Sequence, residues 1–176
     1  MLKSEIRKER EARILSKLNK LGVASVWELM RLNAGGLGEG GRRNALRVLN
    51  EMEEKQLVSS MRKEFKIYCI YGRGFGHWEH RLMMNKFLIK KHLFDKAVIE
   101  PKIKINGTDF RPDFIIPKKT EPQTANDWLF FEVDRRQKKK ANIEKIKRYK
   151  EFGLKFEVVC TPERAGMWRG CVINEV

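Results

Sequence analysis

The stretch WLFFEVD, residues 128–134, decides the fold of the second half of the chain. Its run of large apolar residues predicts a strand that is buried in the middle of a sheet. Two carboxylates, Glu132 and Asp134, nevertheless stand in this strand. Because side chains alternate along a strand, residues at positions i and i+2 point to the same face. A buried carboxylate is costly unless it is paired or binds a cation, so this face is the first candidate site.

The segments around this strand predict a mixed sheet flanked by helices, an α/β (α+β) arrangement. A second strand, FRPDFIIP, carries Asp113, and the turn NGTD (106–109) joins it to the strand-like AVIEPKIKI. The helical segment HWEHRLMMNKFLIKKHLF precedes these strands. A basic helix, KKKANIEKIKRYKEFG, ends at Gly153 and leads into a further strand, KFEVVCTP.

The first part of the chain has the element order that is typical of a winged helix-turn-helix. A helix over residues 3–20 is followed by the short helix VWELMRL, for which Ser25 and Glu28 form a capping-box pattern. The glycine-rich GGLGEGG (35–41) is a turn, and it is followed by a basic amphipathic helix and a β-hairpin. We therefore expect two domains, a winged helix over 1–72 and an α/β domain over 73–176, separated near the glycines of residues 72–76.

Charge indicates a polyanionic partner for both domains. The formal net charge is +15, of which residues 1–70 carry +6 and the remainder carries +9.

No stretch of eighteen apolar residues occurs, so we expect no membrane partner. The three cysteines are widely spaced and form no CxxC pair, which predicts reduced thiols and a cytoplasmic protein.

Two groups of residues are predicted to bind double-stranded DNA. The start of the amphipathic helix would place side chains in the major groove, and the charge run after the carboxylate strand would hold phosphates. The alternatives are a helical domain that binds protein and a charge run that is only solvated. The predicted DNA-binding residues are Arg42, Arg43, Asn44, Arg47, Arg135, Arg136, Lys139 and Lys140.

The three carboxylates Asp113, Glu132 and Asp134 form a candidate metal site. If their two strands are antiparallel neighbours, the carboxylates can converge, and ligand sets made only of oxygen suit Mg²⁺ or Mn²⁺. Such an ion can activate water and neutralise charge on a phosphate. Ordinary salt bridges are the alternative for Asp113 and Glu132, and Asp134 could simply cap the next turn or pair with Arg135.

These motifs resemble those of the PD-(D/E)XK nuclease superfamily. Pro112–Asp113 matches the first motif, and Glu132–Val133–Asp134 matches the second except that Asp134 replaces the lysine. The resemblance implies that Glu79 is an additional acid and that a lysine of the following helix, Lys138 or Lys140, takes the missing role. The resemblance is closest to the replication-relaxation family of plasmid and phage proteins, on four segments: HRLMMN (80–85), RPD (111–113), FFEVDR (130–135) and Lys145 to Tyr149.

Two functions of different class follow. The first is a DNA-binding protein acting in replication or DNA maintenance of a plasmid, phage or mobile element, with a degenerate nuclease-like domain. The alternative is an active Mg²⁺- or Mn²⁺-dependent endonuclease, in which Glu79, Asp113, Glu132, Asp134 and Lys138 would be catalytic. An RNA-binding protein is a third hypothesis, although the chain has no RNA-binding motif of a known module. A homodimer is left open.

Overall fold

A computed structural model describes residues 3–135, 139–168 and 170–176 of the chain. It is a mixed α and β structure, as the sequence predicts, and it divides into two compact units. The first unit ends at Asn85 and the second begins at Lys86, so the division lies inside a helix. The boundary that we expected after residue 72 lies earlier, at the turn before this helix.

The first unit has the element order predicted for a winged helix-turn-helix, with one additional short strand. The additional strand, β1, pairs antiparallel with β3, and β3 pairs antiparallel with β2, which gives the sheet order β1-β3-β2. The elements are α1 (Lys3–Leu21), β1 (Val23–Ser25), α2 (Val26–Arg31), α3 (Gly41–Glu54), β2 (Val58–Arg62), β3 (Lys66–Ile70) and the first part of α4 (Trp78–Lys90).

The predicted capping box at the start of α2 is confirmed. The amide of Glu28 donates to Ser25 Oγ, and the amide of Ser25 donates to Glu28 Oε2 at 2.7 Å. Burial raises the pKa of Glu28 to about 7, although its hydrogen bonds with Ser25 and Asn85 act in the opposite direction. The side chain of Asn85 in turn donates to the carbonyl of Val23, which explains why the first part of α4 belongs to this unit.

Helix α3 begins without a side-chain cap and buries one face. Its N-cap residue is Gly40, whose missing side chain leaves the first turn of the helix without a capping hydrogen bond. The buried face consists of Ala45, Val48, Leu49 and Met52. The turn before the helix passes close to α1, since a Cβ atom on Gly35 would lie 2.5 Å from the carbonyl oxygen of Arg10.

The second unit is built on a five-stranded mixed sheet of order β10-β9-β8-β7-β4. The pairs β4–β7 and β7–β8 are antiparallel, whereas β8–β9 and β9–β10 are parallel, and α5 makes the crossover from β8 to β9. The elements are the end of α4, β4 (Val98–Ile99), β5 (Ile103–Ile105), β6 (Thr108–Phe110), β7 (Phe114–Pro117), β8 (Trp128–Asp134), α5 (Lys139–Glu151), β9 (Phe156–Cys160), α6 (Pro162–Ala165) and β10 (Val172–Glu175).

Two details of this unit differ from the sequence prediction. Each of the first two predicted strands is broken into two short strands, because Pro101 and Pro112 lack the amide that a ladder requires. The pieces β5 and β6 form a separate hairpin around the predicted turn, where Asn106 and Gly107 both have positive φ. Asp113 therefore lies directly before a strand, although its amide still donates to the carbonyl of Phe131.

Apolar side chains cover both faces of the sheet. On one face, Phe87 of α4 packs on Phe114 and Phe131, whose rings stack with centroids 4.4 Å apart. On the other face, Tyr149 of α5 belongs to a cluster with Ile115 and Phe130. Because Glu132 follows Phe130 by two residues, it points towards α5. None of the described helices has the length and apolar character needed to cross a bilayer.

Candidate functional site

Asp113, directly before β7, lies opposite Glu132 of the neighbouring antiparallel strand β8. The register pairs Phe114 with Phe131, and its continuation by one residue places Asp113 opposite Glu132. The amide of Val133 also donates to Asp113 Oδ2 at 2.7 Å, so the carboxylate of Asp113 is held against β8. The predicted strand pairing is therefore confirmed, and it places two carboxylates side by side.

Helix α5 supplies a partner for each carboxylate oxygen of Glu132. Lys145 Nζ donates to Oε2 at 2.5 Å, and the hydroxyl of Tyr149 donates to Oε1 at 2.8 Å. Lys145 and Tyr149 are four residues apart and therefore lie on the same face of the helix. The side chain of Glu132 is only 3% exposed, whereas that of Lys145 is 34% exposed and can reach solvent.

Opposing effects act on the ionisation of Glu132. Burial and the negative charge of Asp113 raise the pKa of Glu132, whereas the Lys145 ammonium and the hydrogen bonds from Lys145 and Tyr149 lower it, and the net result is a pKa raised to about 7. The Tyr149 hydroxyl is also buried beside this carboxylate, and both effects raise the pKa of Tyr149. Tyr149 is therefore a hydrogen-bond donor, and Glu132 can gain or lose a proton near neutral pH.

Asp134 lies on the same face of β8 but has different partners. Trp168 Nε1 donates to Asp134 Oδ2 at 2.6 Å, and the guanidinium of Arg164 lies 3.1 Å from Oδ1. Asp134 and Trp168 are both fully buried. These contacts connect the end of β8 to α6 and to the segment after it, which is a structural role.

The donor chemistry at Asp113 and Glu132 fits a hard cation, but the predicted three-carboxylate set is not formed. Within the described ranges, no group of three or more His, Cys, Asp or Glu side chains is placed to hold a metal ion. Two carboxylates with water in the remaining positions are a common ligand set for Mg²⁺. An ion bound there would polarise a phosphate and activate water, and it would compete with Lys145 and Tyr149 for Glu132.

The lysine beside the carboxylates is Lys145, which sequence reasoning did not select for this role. Lys138 lies outside the described residues, and of Lys140 only the backbone, in the first turn of α5, is described. The signal that could have found Lys145 is its spacing of four residues from Tyr149, since both residues then share the helix face that packs on the sheet.

The remaining predicted site residues outside α3 are Glu79, Arg135, Arg136 and Lys139. Glu79 lies in the first turn of α4, in the first unit, so its role as an additional acid stays a prediction. Arg135 follows β8 and is partly buried, and Arg136 lies outside the described residues. Lys139 begins α5, but its side chain, like that of Lys140, is outside the described part.

The four polar residues predicted at the start of α3 divide into two pairs. Arg42 and Arg43 are exposed, and neither makes a hydrogen bond or ion pair with another described residue. Arg47 is exposed too, but it donates to Glu51 at 2.6 Å and to Asn44 at 3.0 Å. The guanidiniums of Arg42 and Arg43 are therefore the ones available to an anionic partner.

Comparison of the chain with protein families, characterised proteins and solved structures finds no match to any of the three. The resemblance to the replication-relaxation family therefore stays a prediction that is based on the short motifs alone.

Proposed function

We propose that this chain is a protein that binds double-stranded DNA through the N-terminal end of α3. The observation that supports the proposal is a pair of exposed guanidiniums, Arg42 and Arg43, that make no hydrogen bond or ion pair with another described residue and lie at the start of an amphipathic helix. A helix of this kind fits the major groove, where its first residues reach base edges and phosphates. The hairpin β2–β3 follows α3, and Arg62 at the end of β2 and Lys63 in the turn are exposed, so we expect them to contact a second part of the same duplex.

We assign the second unit to support DNA binding rather than to cleave DNA. Both oxygens of Glu132 are engaged by α5, and Asp134 is engaged by Arg164 and Trp168, so these carboxylates are already compensated without a metal. The motif resemblance supports a role in replication or DNA maintenance of a plasmid, phage or mobile element. The three cysteines, which form no disulfide, support a cytoplasmic protein.

The test of DNA binding is the salt dependence of affinity for a duplex. Each phosphate contact that is lost lowers the slope of log K against log salt concentration by about one unit. We expect Arg42→Ala/Arg43→Ala to lower the slope by about two units. The matched control is Lys8→Ala/Arg73→Ala, which removes the same charge from exposed positions of the same unit that make no hydrogen bond or ion pair through their side chains with another described residue. Equal slopes for these two double variants would contradict the proposed interface.

A second candidate function, metal-dependent cleavage of DNA, is favoured by the contact between Lys145 and Glu132. In this alternative, Lys145 takes the role of the motif lysine. Asp134 stands at the sequence position of that lysine but cannot supply a positive charge. Removing one such electrostatic partner costs on the order of a hundredfold or more in rate.

The two functions are separated by Mn²⁺ titration calorimetry and by a plasmid cleavage assay. An active nuclease would bind Mn²⁺, lose this binding in Asp113→Asn and Glu132→Gln, and lose cleavage in Lys145→Met. If the parent binds DNA but neither binds Mn²⁺ nor cleaves, the non-catalytic function is retained.

A further inference from the structure

An exposed tryptophan lies beside the proposed DNA interface and contacts one of its two available arginines. Trp27, the second residue of α2, has 52% of its surface exposed, although tryptophan is normally buried for most of its area. The guanidinium carbon of Arg42 lies over the Trp27 ring, 5.3 Å from the ring centre. This is a cation–π contact between the short helix and the first turn of α3.

A guanidinium that stacks on an aromatic ring keeps its hydrogen-bonding edge. The N–H groups of arginine lie in the plane of the guanidinium, whereas the ring contacts the face of that plane. The same in-plane donors bind phosphate oxygens or the O6 and N7 atoms of guanine in bidentate fashion. The ring contact restrains Arg42, and the N–H groups of its guanidinium make no hydrogen bond or ion pair with another described residue. Arg43, the neighbouring residue, has no ring contact with another described residue.

We infer that Trp27 is a positioning residue of the proposed DNA interface, which holds the Arg42 guanidinium in place for a DNA phosphate or a guanine. This inference rests on the proposed function. Binding DNA then costs less side-chain entropy at Arg42 than at a freely rotating arginine, because ordering one long side chain opposes binding. Trp27 adds no charge of its own, so it changes affinity without changing the number of phosphate contacts.

The test is a double-mutant cycle on duplex affinity, measured over a series of salt concentrations and compared at one of them. We expect Trp27→Ala to weaken binding by roughly three- to tenfold with an unchanged salt slope. In the Arg42→Ala background, Trp27→Ala should cause no further loss. In the Arg43→Ala background, which is the matched control, it should cause its full loss. Trp27→Phe should retain part of the affinity, since it keeps an aromatic face.

A second variant changes Arg42 instead of Trp27 and keeps the positive charge. Arg42→Lys removes the planar guanidinium, so it should weaken binding in the parent, and the loss should be smaller once Trp27 is alanine, because only the bidentate donors are then removed. Circular dichroism of each variant checks that the fold is retained.

Three results would overturn the inference. An equal loss from Trp27→Ala in the parent and in the Arg42→Ala background would show that Trp27 contacts DNA on its own. No loss in the parent would show that the stacking has no role in binding. If the parent itself does not bind duplex DNA, the proposed function fails and this inference fails with it, whereas the first two results leave DNA binding intact.

Discussion

The hydrogen bond from Tyr149 to Glu132 can be tested by removing one oxygen atom from the protein. Tyr149→Phe keeps the aromatic ring, which stacks on Phe156 with centroids 4.6 Å apart, and deletes only the hydroxyl that donates to Oε1. The change leaves a buried carboxylate oxygen without this donor. A hydrogen bond to a charged group contributes about 1.5–3 kcal/mol, so we expect the free energy of unfolding to fall by about 2 kcal/mol at pH 8.

Tyr68 provides the matched control for this substitution. Its hydroxyl is also buried, but it has no hydrogen-bond partner within the described residues, and burial raises the pKa of Tyr68 to about 12. Tyr68→Phe therefore removes an uncompensated polar atom and should leave stability unchanged within about 0.5 kcal/mol or raise it. Both variants are measured by urea unfolding followed by circular dichroism.

The pH dependence gives the same experiment a second readout. The Tyr149 hydroxyl donates to ionised Glu132, so removing it raises the pKa of Glu132 above its value in the parent. The cost of Tyr149→Phe should then shrink to about 1 kcal/mol at pH 5.5, where Glu132 is protonated in both proteins. Equal and pH-independent effects of the two tyrosine substitutions would refute the hydrogen-bonded arrangement at Glu132.

Three further substitutions test other parts of the fold. The pKa of Glu28 is raised on folding from 4.5 to about 7, so the folded state binds more protons between these values and stability falls as pH rises through them. Glu28→Gln should remove up to about 3 kcal/mol of this fall, measured as the pH profile of urea unfolding. Trp168→Phe should cost about 2–3 kcal/mol of unfolding free energy by urea, because Asp134 loses a buried donor and the site loses volume. Gly35→Ala should lower the melting temperature by several degrees, since Gly35 has φ of 57° and no room for a Cβ, whereas Gly74→Ala, which faces open space, should not.

The sequence was informative where a local pattern determines local structure. The Ser25–Glu28 capping box and the turn at Asn106–Gly107 each follow from residue types within four positions, and both are present. The pairing of the strands beside Asp113 and Glu132 followed from the short connection between them. Such predictions succeed because the residue types that determine the structure are close together in the sequence.

The parts of the fold and of the candidate site that the sequence did not predict depend on contacts between distant segments. Strand β1 has three residues, all buried, which is too short for a periodic pattern, and it exists because it pairs with β3. Strand β10 is likewise defined by its parallel pairing with β9. The partners of Glu132 and Asp134 could not be assigned from sequence, because Lys145, Arg164 and Trp168 are long side chains whose reach depends on where their helices and turns pack.

The two helices α2 and α3 of the proposed DNA-binding region differ at their starts, because only α2 has a side-chain cap. This difference should affect how readily the first turn of each helix opens. At the start of α2, the amides of Ser25 and Glu28 are bonded within the capping box, whereas α3 starts at Gly40 without a side-chain acceptor. Amide protons of residues 41–43 should therefore exchange with solvent deuterium far faster than those in the second turn of α3. Duplex binding at this end should slow their exchange, so the first turn of α3 would report occupancy directly in a deuterium-labelling experiment.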